Sequence, residues 1–155
     1  MNPLPADVAR ILSQSRTIAV VGLSANAART SHQVSSYMQK HGYRIIPINP
    51  TYSDSQILGE TCYPDLPSAA IALAENGQKI EVVNCFRRAE DIPPIAKQAI
   101  QIGSRALWMQ LGISHPESAQ EAQAAGLQVV MNRCIKIDHM HWRAQQRLVP
   151  GRGTK

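Results

Sequence analysis

The segment VVGLSANAARTS, residues 20–31, joins an apolar run to a stretch with helical spacing. A strand, a glycine turn and a helix in this order are typical of nucleotide-binding α/β proteins, and the turn reads G-x-G-x-x-G when it binds a dinucleotide. Gly22 stands at the first glycine position, but Ser24 and Ala27 stand at the other two. The segment therefore leaves three readings open: a degraded NAD site, another kind of nucleotide site, or an ordinary strand-to-helix loop.

The rest of the chain repeats this alternation of strand and helix. Helical spacing alternates with continuous apolar runs, and segment 51–69 between them is loop-like, with a one-turn piece and a short strand. Alternation of this kind predicts a doubly wound α/β fold, with a mainly parallel sheet of about five strands and helices on both faces. The five predicted strands are TIAVVGL, YRIIPINP, KIEVVNCF, RALWMQLG and LQVVMN.

The net charge of +5 is concentrated at the C-terminal end. Residues 133–155 hold six basic residues and one acid, and the preceding residues are balanced. A basic nucleic-acid-binding surface is therefore not expected on the body of the protein. We expect one domain over residues 1–148 and a flexible basic tail over 149–155. Docking of a polyanion or a protein partner is the alternative role for the tail.

The apolar runs and the cysteines indicate the cellular compartment of the protein. No run of about 18 apolar residues is present, and the N-terminal segment lacks the apolar core of a secretory signal. The cysteines Cys62, Cys85 and Cys134 are odd in number and form no C-x-x-C pair, which argues against a disulfide framework. We therefore expect a cytoplasmic protein without a membrane partner.

The loop after the first predicted strand carries several features that suit a phosphate. Gly22 permits a sharp turn, and Ser24 with the backbone amides around Asn26 and Ala27 can donate hydrogen bonds. Arg29 can add a bidentate charged contact. Ser31 is placed to cap the next helix. The competing interpretation of the same residues is a tight turn with a solvated arginine.

The end of the second predicted strand argues against NAD. A dinucleotide site carries an Asp or Glu there for the ribose hydroxyls, whereas this chain has Asn49 followed by Pro50. Pro50 and Tyr52 are instead available to pack against an adenine ring.

Three further strand ends carry candidate binding residues. Phe86 either belongs to the core or forms a platform for an apolar ligand arm. Arg87 and Arg88 either bind phosphate or pair with Glu90 and Asp91 nearby. Gln110 is placed to hydrogen-bond an amide-containing ligand. Cys134 precedes a predicted helix start, where a thiolate is stabilised, although an isolated cysteine is more often inert.

No metal site or complete catalytic constellation is predicted. His139 and His141 diverge by about 200° on a helix and cannot easily share one ion. No G-x-S-x-G elbow and no G-x-x-x-x-G-K-[ST] loop is present.

Five motifs in a fixed order resemble the stand-alone CoA-binding proteins, which are similar to the N-terminal CoA-binding domain of the succinyl-CoA synthetase alpha subunit. The motifs are VVGLSANAARTSHQVSSYMQKHGYRIIPINP, ILGETCY, NCFRRAED, WMQLGI and GLQVVMNRCIKIDH. The resemblance spans residues 10–142 and implies a Rossmann-like fold with coenzyme A as its ligand. The positions that it implies for ligand contact are Gly22, Ser24, Arg29, Asn49, Pro50, Phe86, Arg87, Gln110, Gly112, Asn132, Arg133 and Cys134. The predicted binding site combines them with the loop residues Ala25, Asn26 and Ala27 and with Tyr52.

The chain departs from this family at two positions. Asn84 and Asn132 stand where the family commonly has aspartate, so a negative charge at Asn132 that would orient Arg133 is not expected. The synthetase also needs a second alpha domain and a beta subunit, for which 155 residues are too few, so the resemblance does not carry ligase activity over.

The expected function is therefore binding of CoA or acyl-CoA without catalysis, as a carrier or a regulatory sensor. The alternative is an acyl- or thiol-transfer enzyme, or a carrier of CoA as a disulfide, that uses Cys134.

Overall fold

The computed structural model describes residues 4–148. The predicted tail at 149–155 lies outside the described residues. The described residues form seven strands, which are β1 (Thr17–Val21), β2 (Arg44–Ile48), β3 (Gln56–Ile57), β4 (Glu60–Thr61), β5 (Val82–Cys85), β6 (Ala106–Met109) and β7 (Gln128–Val130). Five of them form one parallel sheet in the spatial order β2-β1-β5-β6-β7, which confirms the predicted Rossmann-like α/β class. The other two, β3 and β4, form a separate hairpin.

Six helices cover the two faces of the sheet. Each central strand is buried on both faces, so its side chains alternate between two apolar cores. Trp108 packs into one core and Met109 into the other, as their neighbouring positions on β6 predict. Helices α1 (Ala6–Gln14), α2 (Thr30–Lys40) and α6 (Ile135–Leu148) supply the first core, and α3 (Leu66–Ala74), α4 (Ile92–Gln101) and α5 (Pro116–Ala124) supply the second.

The hairpin of β3 and β4 differs from the single short strand expected in this region. The two strands have two residues each and are joined through Leu58, whose φ is 55°. The hairpin leads back to the sheet, because Tyr63 donates its N–H to the Pro47 carbonyl at 3.0 Å. Pro47 lacks an N–H group and is accommodated because β2 is the last strand of the sheet.

The starts of two helices are capped differently. His115 accepts a hydrogen bond from the Ser118 N–H at 3.1 Å and thereby caps α5. The expectation that Ser31 caps α2 is wrong, because the N-cap residue is Arg29 and its side chain makes no capping bond. Ser31 is buried within the first turn, where its Oγ accepts from the Ser24 N–H at 3.0 Å.

Helix α6 is fastened to α2 by a buried histidine. His139 Nδ1 lies 2.8 Å from the Tyr37 hydroxyl, and the His139 ring packs edge-on against Tyr43. Burial, His41 and Arg143 lower the pKa of His139 to about 4. The imidazole is therefore neutral in the folded protein at neutral pH.

We expect the stability of the protein to decline as the pH falls below 6.5. The unfolded chain binds a proton at His139 near pH 6.5, whereas the folded protein resists it down to about pH 4. The contribution of neutral His139 to the free energy of unfolding is thus fully present above pH 6.5 and is lost as the pH falls toward 4. The loss amounts to about 2 kcal/mol between pH 7 and 5. Urea unfolding of the wild type and of His139→Gln measures it, and an equal pH slope in both proteins would contradict the assignment.

No helix among residues 4–148 is both long and apolar enough to cross a membrane.

Candidate functional site

The candidate site lies at the carboxyl edge of the sheet, where β1 and β5 adjoin. The chain leaves β1 toward α2 on one face and leaves β5 toward α4 on the other. A ligand crevice opens at such a switch point in doubly wound folds. At the base of the crevice the backbone of Gly22 lies close to that of Phe86. A Cβ at position 22 would lie 2.5 Å from the Phe86 carbonyl oxygen, so only glycine fits without a shift of the backbone.

The first cleft at this edge is polar and has a volume of about 590 Å³. It lies between the loop after β1, the start of α2 and the turn after β2. Phe86 and Arg87 form its boundary on the β5 side. Its remaining lining residues are Gly22, Ser24, Ala28, Arg29, Thr30, Ser31, Asn49, Thr51 and Tyr52.

The loop after β1 is held in shape by its own side chains. Ser24 Oγ accepts the Asn26 N–H at 3.0 Å, and Asn26 Oδ1 accepts the Ala28 N–H at 2.9 Å. The Asn26 amide is therefore already bonded within the loop. The Ser24 hydroxyl hydrogen and the Arg29 guanidinium remain as donors from residues that line the cleft.

Asn49 fastens the turn after β2 to the loop after β1. Its Nδ2 donates to the Leu23 carbonyl at 3.1 Å, and its Oδ1 accepts the Thr51 N–H at 3.0 Å. Both ends of the buried amide are thus engaged. The ring of Tyr52, which is half-buried, lines the cleft beside it.

A second cleft of about 720 Å³ continues from the first and is mainly apolar. The two clefts share Thr30, Phe86 and Arg87, so they form one groove along the sheet edge. The second cleft lies between the β6–α5 loop and the first turn of α6. Its remaining lining residues are Arg88, Asp91, Gln110, Leu111, Ile113, Cys134 and Ile137.

The two walls of the apolar cleft are tied together by Asn132. Its Oδ1 accepts the Gly112 N–H at 2.7 Å, and its own N–H donates to the Ile113 carbonyl at 3.0 Å. Asn132 has φ 58°, a left-handed conformation that asparagine tolerates better than most residues. An amide rather than a carboxylate thus makes this link.

Arg133 is oriented by a carboxylate that sequence analysis did not assign to it. Its Nε donates to Asp138 Oδ2 at 2.7 Å, and the terminal nitrogen donates to Oδ1 at 3.1 Å. This paired contact raises the pKa of the Arg133 guanidinium. Since Asp138 is nearly fully buried, the ion pair fixes the start of α6.

Gln110 forms the floor of the apolar cleft. Its Nε2 donates to Asn84 Oδ1 at 2.7 Å, and both residues are buried. The amide at position 84 can accept this bond as a carboxylate would, but without a buried negative charge.

The groove carries uncompensated positive charge on its polar side. No described carboxylate lies within 4.0 Å of the guanidinium groups of Arg29, Arg87 or Arg88. The expected alternative, in which Arg87 or Arg88 pairs with Glu90 or Asp91, is therefore not realised. The free guanidinium groups favour an anion in the groove.

The three cysteines differ in accessibility. Cys134 is half-buried and lines the apolar cleft, directly before the start of α6. Cys62 and Cys85 are buried, and burial raises the pKa of both thiols, that of Cys85 to about 12. Cys134 is thus the one thiol that the groove presents.

The structure brings nine of the predicted positions into the groove and leaves seven outside its lining. Those in the lining are Gly22, Ser24, Arg29, Asn49, Tyr52, Phe86, Arg87, Gln110 and Cys134. Ala25, Asn26, Ala27, Pro50, Gly112, Asn132 and Arg133 are not among the described lining residues.

Sequence analysis missed the apolar wall residues Leu111 and Ile137. Leu111 follows β6 and Ile137 lies in the first turn of α6, and their side chains are 66% and 57% exposed. The sequence places Leu111 at the end of a predicted strand and Ile137 in a predicted helix, and only the tertiary structure shows that both residues line one cleft.

A family model described as a CoA binding domain matches residues 16–140. The chain belongs to this CoA-binding family. The match begins just before β1 and ends within α6, so it contains both clefts. Family membership therefore supports a role in binding that is related to CoA.

The chain is also similar in sequence or in structure to three further proteins. The uncharacterized protein YneT of Bacillus subtilis is 40% identical over 138 residues, which are 89% of this chain and 96% of YneT. The crystal structure of Prb, a protein redesigned for binding, has a TM-score of 0.79 at 32% identity and covers 92% of this chain and 95% of Prb. A hypothetical protein from Pyrococcus horikoshii OT3 has a TM-score of 0.77 at 32% identity, covering 92% and 99%.

Proposed function

We propose that this protein binds coenzyme A or an acyl-CoA in the groove and performs no chemistry on it, acting as a carrier or a sensor. The observation that carries the proposal is the continuity of the two clefts. The polar, arginine-bearing cleft passes directly into the apolar cleft across Phe86 and Arg87. A ligand with an anionic nucleotide at one end and a long, less polar arm at the other matches this order.

The chemistry of the lining residues sets the direction of the ligand. Arg29, Arg87 and the Ser24 hydroxyl would bind the diphosphate through charge-assisted hydrogen bonds. The adenine would lie beside Tyr52. The pantetheine arm would then pass Phe86 and reach Gln110 and Cys134 at the far end of the groove.

Binding without catalysis is proposed because the groove lacks the pairing that activates a nucleophile. Cys134 is the one thiol among the described lining residues, and no histidine among them lines the same cleft. A catalytic cysteine is normally activated by a neighbouring base such as histidine.

Isothermal titration of ligand-free protein with CoA tests the proposal. We expect saturable binding at one site per chain and no detectable binding of NADH, because the turn after β2 offers Asn49 in place of the ribose-binding acid. An absence of heat with CoA, together with an absence of competition by an acyl-CoA, would overturn the proposal.

The position of Cys134 favours a second candidate function, the carriage of CoA as a mixed disulfide. The Cys134 thiolate would attack one sulfur of CoA disulfide, forming a protein–CoA disulfide and releasing one CoA thiolate. The same thiol is the candidate for acyl or thiol transfer. Its place at the end of the groove is where the ligand sulfur would lie.

Mass spectrometry after incubation with CoA disulfide distinguishes this candidate from simple binding. We expect a single CoA adduct that reduction removes and that Cys134→Ala abolishes. The buried thiols of Cys62 and Cys85 serve as internal controls, because their raised pKa values leave little thiolate at neutral pH. An unmodified wild-type mass, or an adduct that persists in Cys134→Ala, would exclude Cys134 as the carrier.

A further inference from the structure

Two large apolar side chains are exposed on opposite walls of the same cleft. Leu111 projects from the β6–α5 loop with 66% exposure, and Ile137 from the first turn of α6 with 57% exposure. Exposed apolar side chains that come from two elements and line one cleft mark a binding surface for an apolar group. Neither residue is needed for the diphosphate or the adenine.

The walls that carry these residues are held at a fixed separation. Asn132 bonds to both Gly112 and Ile113 on the opposite loop, and the Arg133–Asp138 ion pair fixes the start of α6. The apolar surface is therefore formed before a ligand arrives, which limits the ordering cost of binding.

The cleft lies at the end of the groove where the proposed CoA would place its sulfur. Phe86 and Arg87 line both clefts at their junction, and Gln110 and Cys134 line this one. A group attached to the sulfur would then extend between Leu111 and Ile137. The bare CoA thiol would leave these two side chains in water.

We propose that Leu111 and Ile137 form an acyl subsite, and that the protein binds CoA thioesters of uncharged, saturated acyl groups more tightly than free CoA. This inference rests on the proposed function. Each methylene buried between the two side chains would tighten binding about two- to fourfold.

Titration of free CoA and of its acetyl, butyryl and hexanoyl thioesters tests the subsite. We expect affinity to rise along the series in the wild type. The Leu111→Ser/Ile137→Ser double variant is expected to show a flat series, in which the acyl thioesters bind no more tightly than free CoA does. Ile71→Ser is the matched control, since Ile71 is 68% exposed on α3, outside both clefts.

The possible results separate the two proposals. A flat series in the wild type overturns the subsite, whereas saturable binding of free CoA in the same titrations preserves the proposed function. If the double variant loses self-association but its acyl series equals that of the wild type, the subsite is overturned, and Leu111 and Ile137 instead form a contact between copies of the chain. Absence of binding for every compound overturns the proposed function itself.

Discussion

Gly22→Ala is expected to lower the free energy of unfolding by about 2–5 kcal/mol. Gly22 has φ 92°, a left-handed conformation that costs any other L residue energy. The added Cβ would also lie 2.5 Å from the Phe86 carbonyl oxygen, which belongs to the backbone and cannot rotate away. The loops after β1 and β5 would have to separate at the base of the groove. Chemical denaturation measures the loss, and CoA titration of the folded fraction measures the damage to the groove.

Gly42→Ala is the matched control for this prediction. Gly42 has φ 95°, but no atom lies within 4 Å of a Cβ built at this position. It therefore reports the backbone cost alone, about 1–2 kcal/mol. Equal losses in the two variants would show that the approach of Gly22 to Phe86 contributes nothing to stability, contrary to the account of the switch point.

Arg29→Ala is expected to weaken CoA binding by about 1.5–3 kcal/mol, roughly 10- to 150-fold in Kd. Arg29 is exposed, lines the polar cleft and has no described carboxylate within 4.0 Å. Its guanidinium is thus free to bind a phosphate. The side chain makes no capping bond to α2, so the stability of the fold should change little. Isothermal titration and thermal unfolding give the two readouts.

Arg147→Ala controls for the loss of one positive charge. Arg147 is exposed in the last turn of α6 and lines neither cleft. We expect its CoA affinity to equal that of the wild type. Equal weakening in both variants would indicate a general attraction of the basic protein for an anion rather than a contact at Arg29.

The strands and helices could be predicted because apolar runs and helical spacing are local signals. Trp108 and Met109 reach opposite cores, as their positions in the run RALWMQLG require. The hairpin could not be predicted in full. Its strands have two residues each, and Leu58 adopts a positive φ that its residue type does not favour.

The candidate site was predicted only in part, because the partner of a polar side chain is decided by the tertiary structure. The sequence places Asn49 and Asn132 at strand ends, but not their bonds to Leu23 and to Gly112, which lies 20 residues away. In the same way, the Asn26 N–H, a predicted phosphate donor, donates instead to Ser24 Oγ within the loop. The sequence alone does not decide whether Arg87 pairs with Glu90 or Asp91, whereas in the structure no described carboxylate lies within 4.0 Å of the guanidinium of Arg29 or Arg87.

A crystal structure of the protein with CoA tests the central claim most directly. We expect the diphosphate to lie against Arg29 and Arg87, the adenine beside Tyr52, and the sulfur in the cleft that Cys134 lines. CoA bound away from the shared boundary at Phe86, or lying in the groove in the opposite direction, would contradict it.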